Sequence, residues 1–515
     1  MRGRTWTGCR NSSGRPWKRT RFSECLPVTG IAAWRRNGSA VGKPLRVCLI
    51  LEGTYPYVPG GVSAWTHELI RQLPDTEFVL LTLSAKKDQK HAYELPPIVK
   101  GVQDHLLALA TPSPEQWNLR TGPRRLEQIR DLLGPSVHPD VQELLQDLES
   151  AASLNPMAIA GGRRRGSRRA MRALWSTITD RYRRENPFYP LGEFFWTWFN
   201  ARALLLSLLE VSMPEADVYH ALCTGYAGFA GSVVRAALGR PLVLTEHGIY
   251  HRERSIEIDA SAAVRGNQRD QWKKLFFSLS RLTYAISDEV ITLFETNRRL
   301  ELALGAPEER SRVIPNGIDL DRYRAVQRRK RPGFHVGLIG RIVPIKDVKT
   351  FIVCAQAVLQ EVSTVEFHCI GPLAEDPEYV EECRELVTAL GLEGALHFTG
   401  PQDVREYYAF LDVVVLSSLS EAQPLVILEA LAAGVPVVST RVGDVPGLLD
   451  GEDRFIALPK DAEGLAQRIV AILRDPSFAE EWVRARQPVL DEVYNRSTIF
   501  SSYGELYRKV AQWRE

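Results

Sequence analysis

The sequence predicts an α/β protein with two doubly wound parallel sheets in tandem. Three observations predict it: a length of 515 residues, a globular composition, and two successive runs in which short apolar strands alternate with helical patterns. Hydrophobic residues make up 44% of the chain and charged residues 25%, which excludes a wholly disordered chain, a collagen-like chain and a coiled-coil rod. The apolar runs stay well below the ~18 residues that a membrane span needs.

The first run predicts an N-terminal domain at residues 45–325. Residues 45–51 predict a buried strand, followed by a Gly/Pro-rich loop and a helix from Ser63, its expected N-cap. Residues 85–210 are mostly helical by pattern and predict an insertion. Further strands of this domain are predicted at residues 77–83, 217–220, 241–245, 284–293 and 312–314.

A basic, polar linker at residues 322–331 separates this domain from a second one, which is predicted at residues 333–490. Its predicted strands are residues 334–339, 365–370, 413–416 and 436–439, and its clearest helices are residues 348–359 and 425–433. Residues 491–515 predict a C-terminal helix that packs back towards the N-terminal domain. Doubly wound sheets bind ligands at the carboxyl ends of their strands, so the site is expected in the cleft between the two domains.

The charge is unevenly distributed, although the net charge is only +3. Residues 1–43 contain ten Lys or Arg and one acid, and residues 161–184 contain nine Arg and one acid. We expect residues 1–44 to be a disordered basic extension, with a transit-like signal as the alternative, because the apolar core of a secretory signal is missing. The second segment predicts a solvated helical face, or else a surface for phosphate, anionic lipid or an acidic partner. Nucleic-acid binding is not expected, because no recognition motif accompanies the arginines.

The seven cysteines are widely spaced and include no CxxC pair. This pattern argues against a disulfide framework and against a zinc ribbon. It favours a reducing compartment. The expected location is therefore the cytoplasm, with attachment to the inner face of the membrane left open.

Two acids eight residues apart, Glu421 and Glu429, are the strongest indication of a chemical site. Pro424 favours the first helical position, so the helix is expected to begin there and to leave Glu421 in the preceding loop. The two acids can then reach opposite ends of one ligand. The helix N-terminus between them, with Leu425 in its first turn, offers N–H groups to a phosphate. An amphipathic helix with solvated acids is the alternative.

Two cations follow the predicted strand at residues 334–339: Arg341 directly after Gly340, and Lys346 five residues further on. Two cations at the carboxyl end of a strand suit a diphosphate. They can neutralise a departing nucleoside diphosphate without a metal ion. The spacing is not GxGxxG, which argues against a nicotinamide cofactor. A solvated surface arginine and lysine are the alternative.

Two features of the first domain also point to the cleft. Gly60 and Gly61 allow the backbone to approach a ligand closely, although a sharp turn would explain them equally well. His247 lies two residues after the predicted strand at residues 241–245, where it could bind a sugar hydroxyl. The alternative for His247 is a buried histidine with its hydrogen bonds satisfied.

In chain order these motifs resemble the family-4 retaining glycosyltransferases, which have the two-domain GT-B fold. The order is the glycine pair, the cleft histidine, Pro-Asn-Gly-Ile-Asp at 315–319, Gly-Arg with a following Lys, the two acids, and Gly-Val-Pro-Val-Val at 434–438. The resemblance covers about residues 45–515, with the insertion outside the general pattern. Residues 51–57 and 245–250 are similar to the glycosyltransferases of Pel exopolysaccharide biosynthesis.

The resemblance implies a role for each matched residue of the second domain. Arg341 and Lys346 would hold the donor diphosphate, Glu429 the ribose hydroxyls and Glu421 the hydroxyls of the transferred sugar. Many family members carry Gly-Phe-Gly after the first acid, whereas residues 422–424 are Ala-Gln-Pro. Because proline lacks an N–H group, one potential phosphate donor is missing, and the donor preference stays open.

In the first domain, the resemblance implies that His247 lines the donor sugar site and that Gly60 and Gly61 lie against the phosphate or the acceptor. The implied reaction is retaining transfer from a UDP-sugar, UDP-glucose foremost, to a growing exopolysaccharide or a related acceptor. No metal or other cofactor is expected, and a membrane-embedded polysaccharide synthesis complex is the implied partner. A nucleotide-sugar epimerase and a non-catalytic nucleotide-sugar binding protein are the alternative functions.

Overall fold

The structure is a computed structural model that describes residues 44–86, 89–107, 121–135, 137–152, 165–185, 187–261 and 263–512. The predicted disordered extension lies outside the described residues except for Pro44, and so do Arg163 and Arg164 of the arginine-rich segment and residues 513–515. Residues 45–515 belong to one compact unit.

The first sheet contains seven parallel strands in the order β3-β2-β1-β4-β5-β6-β7. They are β1 (Leu45–Glu52), β2 (Thr76–Ser84), β3 (Val99–Leu106), β4 (Val218–Ala221), β5 (Leu242–Glu246), β6 (Glu289–Thr292) and β7 (Ser311–Val313). The strand order reverses between β1 and β4, which is where a doubly wound sheet opens a crevice for ligands.

The second sheet contains six parallel strands in the order β10-β9-β8-β11-β12-β13. They are β8 (Phe334–Ile339), β9 (Val365–Ile370), β10 (Leu396–Gly400), β11 (Val413–Leu416), β12 (Val437–Thr440) and β13 (Ile456–Ala457). Its order reverses between β8 and β11. The predicted fold class, two doubly wound parallel sheets, is therefore confirmed.

Helices cover both faces of the two sheets, which is why β11 is apolar along its whole length and β1 is apolar and buried from Val47 to Leu51. The described α-helices are α1 (Gly61–Gln72), α2 (Thr121–Leu133), α3 (Pro139–Ala152), α4 (Arg165–Glu185), α5 (Leu191–Leu209), α6 (Tyr226–Leu238), α7 (Tyr250–Ala260), α8 (Asn267–Ile286), α9 (Glu295–Ala303), α10 (Leu320–Arg324), α11 (Val348–Glu361), α12 (Pro377–Ala389), α13 (Val404–Tyr408), α14 (Leu425–Ala432), α15 (Val445–Leu448), α16 (Ala462–Arg474), α17 (Ser477–Val493) and α18 (Arg496–Gln512).

Helix α18 lies on the N-terminal domain, although it follows the second domain in the chain. Its Phe500, Tyr503 and Tyr507 are buried in the same core as β1 and α1. His220 of β4 is hydrogen bonded through Nδ1 to the Tyr507 hydroxyl, at 2.7 Å. The last helix therefore forms part of the layer that covers one face of the first sheet.

The arginine-rich segment is only partly solvated. Arg181 of α4 is 4% exposed and donates from Nε to Asp147 of α3 at 3.0 Å. Arg202 and the Trp198 indole of α5 also donate to Asp147, at 2.8 and 3.2 Å. Arg181 is therefore a buried structural residue that joins helices of the insertion. For this residue, the prediction of a solvated or partner-binding face is wrong.

The insertion contains a cluster of aromatic residues at 188–199, and its members are divided between the core and the surface. Phe194 and Trp198 are buried, whereas Phe188 and Trp196 are exposed by 96% and 60%.

Three sequence predictions of elements need correction. Residues 284–293 are predicted as one strand, but α8 continues to Ile286 and β6 covers only Glu289–Thr292. A short apolar run does not distinguish the buried end of a helix from a strand. Strand β3 lies inside the predicted helical insertion, because half-exposed edge strands can be polar. Helix α1 starts at Gly61, and Ser63 donates to the Val58 carbonyl instead of capping the helix.

Candidate functional site

The loops that follow β8 and β11 come together at the carboxyl edge of the second sheet. Adjacent parallel strands end at the same edge, and β8 pairs directly with β11. The Ser417 hydroxyl, just after β11, donates to the carbonyls of Lys346 and Asp347 at 2.8 and 3.0 Å. This contact fixes the backbone that carries Lys346 against the loop that carries Glu421.

Lys346 and Glu421 form the ion pair at the centre of the candidate site. Lys346 Nζ lies 2.5 Å from Glu421 Oε1, and the Ser418 hydroxyl donates to the same oxygen at 2.6 Å. The lysine and glutamate side chains are only 19% and 14% exposed. Charges shielded from water to this degree interact more strongly than surface pairs. Lys346, which can bind an anionic group of a ligand, therefore lies directly beside Glu421, which can accept hydrogen bonds from hydroxyl groups.

Gly443 packs closely against the backbone of Glu421. It has a φ of +49°, and a Cβ atom there would lie 2.1 Å from the Glu421 carbonyl oxygen and 2.3 Å from that of Ala422. Any other residue would therefore push the Glu421 loop away from its present position. The Asp444 N–H also donates to the Ala422 carbonyl, at 2.8 Å.

Glu429 lies in the second turn of α14, with neighbours that were not predicted. Its Oε2 accepts a hydrogen bond from the Tyr408 hydroxyl at 3.2 Å, and Tyr323 forms another with the carboxyl group. Burial raises the pKa of Glu429, and the two tyrosines oppose that shift. Glu429 is thus a half-buried, hydrogen-bonded acid rather than a solvated one. Pro424 is buried and stands at the N-cap, one position before the predicted one, so Leu425 is the first helical residue.

Arg341 follows β8, and its side chain is exposed. Its guanidinium pairs with Glu375 in the loop after β9, and the two side chains are 53% and 49% exposed. An ion pair this exposed contributes little free energy. Only a small cost therefore opposes a change of partner from Glu375 to a diphosphate.

Gln423 makes three polar contacts, and two of them connect the two domains. Its Oε1 accepts from the Asn316 N–H at 2.6 Å, and its Nε2 donates to the Leu293 carbonyl at 3.4 Å and to Asp444 Oδ2 at 2.7 Å. Leu293 and Asn316 directly follow β6 and β7, so the carboxyl edges of both sheets meet at this side chain. The candidate site is therefore in the cleft between the domains. The Ala-Gln-Pro departure from the family pattern contains a domain contact.

The Asp444 carboxyl group predicts a measurable pH dependence of stability. Burial raises its pKa to about 7, and the hydrogen bond from Gln423 opposes the shift. The folded protein therefore retains a proton that the unfolded chain releases, and the contribution of Asp444 to the free energy of unfolding decreases from about pH 4 to about pH 7. We expect Asp444→Asn to remove about 1–2 kcal/mol of the stability lost between about pH 5 and about pH 8.

Thermal unfolding of the wild type and the variant at both pH values measures this difference. Asp453→Asn is the matched control, because Asp453 lies in the same domain and is 80% exposed. Equal pH dependence in the wild type and Asp444→Asn would contradict the assignment.

His247 follows β5 and packs against α1. Its ring meets the Trp65 indole edge-on, with 4.7 Å between the ring centres. The buried atoms His247 Nε2 and Trp65 Nε1 both lack hydrogen-bond partners within the described part of the chain. Burial lowers the pKa of His247 to about 4, so the imidazole is neutral near pH 7. It offers a ligand a neutral donor or acceptor and no positive charge.

The predicted glycine pair lies at the start of α1. Gly60 is the N-cap and Gly61 the first helical residue, one turn before Trp65. A Cβ atom at either glycine would meet nothing within 4 Å. The described structure therefore leaves open space at this point, and no packing contact requires glycine.

Residues 51–57 and residues 245–250 contact each other and support the loop that carries His247. The Tyr250 hydroxyl donates to Glu52 Oε1 at 2.5 Å, and Glu52 Oε2 accepts from the Tyr226 N–H at 2.8 Å. Glu246 accepts from the Tyr250 N–H at 2.9 Å. Burial raises the pKa of Glu246 above its usual range. These acids hold the loop in place, and His247 projects from it.

The structure brings only some of the predicted residues together. Lys346 and Glu421 are in direct contact, while Arg341, Glu429 and His247 each have other partners. Sequence reasoning missed the residues that hold these groups: Ser417, Ser418, Gln423, Gly443, Asp444, Tyr323, Tyr408 and Trp65. The serines could have been found, because they directly follow an apolar strand at the edge where such sheets bind ligands.

Across the described residues, none of the helices has both the length and the apolar character needed to cross a membrane.

Comparison with known families assigns both halves of the chain. Residues 333–475 match the family described as "Glycosyl transferases group 1". Together with the two facing sheets, this match defines a protein of the GT-B class with a glycosyl transferases group 1 domain. Residues 45–309, slightly more than half the chain, match the family described as "Domain of unknown function (DUF3492)". The chain belongs to that family.

Curated relatives match in part. The chain is 25% identical over 235 residues to N-acetyl-alpha-D-glucosaminyl L-malate synthase of Bacillus anthracis, which is 45% of this chain and 59% of the relative. It is 27% identical over 285 residues to D-inositol 3-phosphate glycosyltransferase of Geodermatophilus obscurus, which is 52% of this chain and 62% of the relative. The matched region thus spans less than two thirds of each relative.

The fold is also that of a solved structure. HepE of Anabaena in complex with UDP has a TM-score of 0.56 and 17% sequence identity, with 90% of this chain and 99% of HepE covered. At this identity the likeness shows the GT-B fold.

Proposed function

We propose that this protein is a glycosyltransferase that moves a sugar from a UDP-sugar to a saccharide acceptor, with retention of anomeric configuration and without a metal ion. The observation that carries the proposal is the Lys346–Glu421 pair at the carboxyl edge of the second sheet. It lies just before the N-terminus of α14, in a GT-B fold whose second domain matches the glycosyl transferases group 1 family.

The arrangement suits the two ends of a nucleotide-sugar. Lys346 supplies a positive charge, and the N-terminus of α14 supplies N–H groups, for the diphosphate. Glu421 accepts hydrogen bonds from hydroxyls of the transferred sugar, and Glu429, in the second turn of the same helix, accepts them from the ribose. The largest contribution to catalysis would be stabilisation of the departing diphosphate by Lys346, since negative charge builds up there in an oxocarbenium-like transition state.

Residues of the first domain would complete the cleft. His247 would bind a hydroxyl of the donor sugar through its unpartnered Nε2. The contacts of Gln423 hold the domains together at the edge of the site, and a closed cleft would exclude water and limit hydrolysis of the donor.

The choice of UDP as the nucleotide rests on similarity. HepE, which shares the fold, was solved with UDP. Residues 51–57 and 245–250 resemble PelF, the soluble glycosyltransferase of Pel exopolysaccharide biosynthesis, in which the donor is a UDP-sugar. We propose UDP-glucose as the first donor to test, an exopolysaccharide as the acceptor, and a membrane-embedded synthesis complex as the partner.

Incubation of the protein with UDP-glucose, with and without saccharide acceptors, tests the function. We expect UDP release that depends on the acceptor, and NMR spectroscopy of the product reports the anomeric configuration. Conversion of the UDP-sugar into its epimer without an acceptor would indicate the epimerase instead. Tight UDP binding with no turnover of any UDP-sugar would indicate a binding protein.

The Arg341→Ala variant is expected to bind UDP more weakly than the wild type. Replacing it with alanine removes a charge-assisted contact to the diphosphate worth about 1.5 kcal/mol, so calorimetry should give a Kd for UDP about tenfold higher. Glu375→Gln is the matched control, because it frees Arg341 from its present partner and should leave UDP binding unchanged or tighter. Equal affinities in the wild type and Arg341→Ala would remove Arg341 from the donor site.

A further inference from the structure

A second polar cluster lies at the opposite end of the second sheet. It consists of His335 near the start of β8, Glu366 near the start of β9, and His368 in the middle of β9. The strand register pairs His335 with Glu366, and residues two apart on one strand point to the same face, so all three side chains share one face. About 17 Å of strand separates His335 from Gly340 at the carboxyl edge. The cluster is thus separate from the proposed donor site.

The distances within the cluster match those between ligands of one metal ion. His335 Nδ1 lies 3.2 Å from His368 Nε2 and 3.6 Å from Glu366 Oε2. The three ligand atoms all lie within 4.8 Å of one another. Ligands about 2.05 Å from a tetrahedral zinc ion are about 3.4 Å apart. The glutamate is the exposed member, with 55% of its side chain accessible, so its carboxylate is free to adjust.

The surroundings fix His335 in the tautomer that binds a metal. His335 Nε2 lies 3.2 Å from the Pro332 carbonyl oxygen, which can only accept a hydrogen bond. Nε2 therefore carries the proton, and Nδ1 presents its lone pair to His368. A histidine that donates its second N–H to a backbone carbonyl is the usual outer arrangement of a metal ligand.

We propose that His335, His368 and Glu366 form a site for a divalent transition metal ion, with zinc as the best match. Two imidazoles and one carboxylate are the ligand set that zinc favours. In the ligand-free protein His368 donates its Nε2 proton to His335; when zinc binds, His368 carries its proton on Nδ1 and Nε2 ligates the ion. His335 and His368 are 3% and 7% exposed. The ion would join β8 to β9 and so stabilise the second domain at a point away from the carboxyl edge of its sheet.

His397 offers a fourth ligand. It is the register partner of His368 on β10, and the two ring centres are 6.0 Å apart. Water is the other candidate for this position, and His397→Gln distinguishes them, since its zinc affinity falls only if His397 ligates the ion.

Zinc titration of the full chain, purified without a histidine tag and freed of metal by a chelator, tests the proposal. We expect one zinc ion per chain by competition with a fluorescent chelator, and a higher melting temperature with zinc than without it. Glu366→Gln should weaken zinc binding about tenfold or more, and its exposed position makes it harmless to the fold. His368→Gln should abolish binding.

The matched control is His138→Gln. His138 Nδ1 lies 3.2 Å from Asp140 Oδ2 in an exposed histidine–carboxylate pair outside the second sheet. The His138→Gln variant should bind zinc as tightly as the wild type does. The proposal is overturned if the wild type binds no zinc, or if Glu366→Gln binds it as tightly as the wild type does.

Discussion

Lys346→Ala is expected to lower kcat/KM for sugar transfer by about 10²–10³-fold. The lysine, whose side chain is 19% exposed, supplies a positive charge of the candidate site, and its loss leaves the departing diphosphate without that partner. It also leaves Glu421, which is only 14% exposed, without its counter-ion, so two negative groups would face each other. Steady-state kinetics with UDP-glucose and a saccharide acceptor measure the effect.

Lys349→Ala is the matched control for this variant. Lys349 lies three residues further along the chain and pairs with Glu382 at 2.6 Å, but its side chain is 41% exposed and belongs to an ordinary surface pair. We expect near wild-type turnover from it. Unchanged activity in Lys346→Ala, with the fold intact by circular dichroism, would contradict the role assigned to Lys346.

Glu421→Gln is expected to separate catalysis from nucleotide binding. The amide accepts hydrogen bonds from sugar hydroxyls more weakly than the carboxylate, so turnover should fall by roughly 10²-fold. It also frees Lys346, so the affinity for UDP should stay the same or increase. Kinetics with the UDP-sugar and calorimetry with UDP report the two effects separately.

Glu382→Gln is the matched control, because it breaks the exposed Lys349–Glu382 pair as Glu421→Gln breaks the more shielded Lys346–Glu421 pair. It should change neither quantity. A parallel loss of UDP affinity and turnover in Glu421→Gln would instead indicate that Glu421 supports the fold of the site and does not contact the sugar.

The sequence predicts most of the sheet framework because buried parallel strands are continuous apolar runs. Strands β8, β9 and β11 have the predicted bounds, residues 334–339, 365–370 and 413–416. Strand β3 was missed because an edge strand needs an apolar pattern on fewer positions, and its sequence contains Lys100, Gln103 and Asp104.

Lys346 and Glu421 were predictable as candidates because each lies in the loop that follows an apolar strand, Lys346 after β8 and Glu421 after β11. The partners were not, because they come from elements far apart in the chain. Tyr323 and Tyr408 reach Glu429 from α10 and α13, and no spacing in the sequence connects the three. Gln423 was considered only as part of a departure from a motif, whereas its contacts with Asn316 and Leu293 across the cleft depend on the packing of two domains.

A crystal structure of the protein with bound UDP is the most direct test of the central claim, that this cleft holds a nucleotide diphosphate. The account predicts the diphosphate within hydrogen-bonding distance of Lys346 Nζ and the N-terminal N–H groups of α14, with the ribose at Glu429. UDP bound elsewhere on the chain, with the Lys346–Glu421 pair untouched, would contradict it.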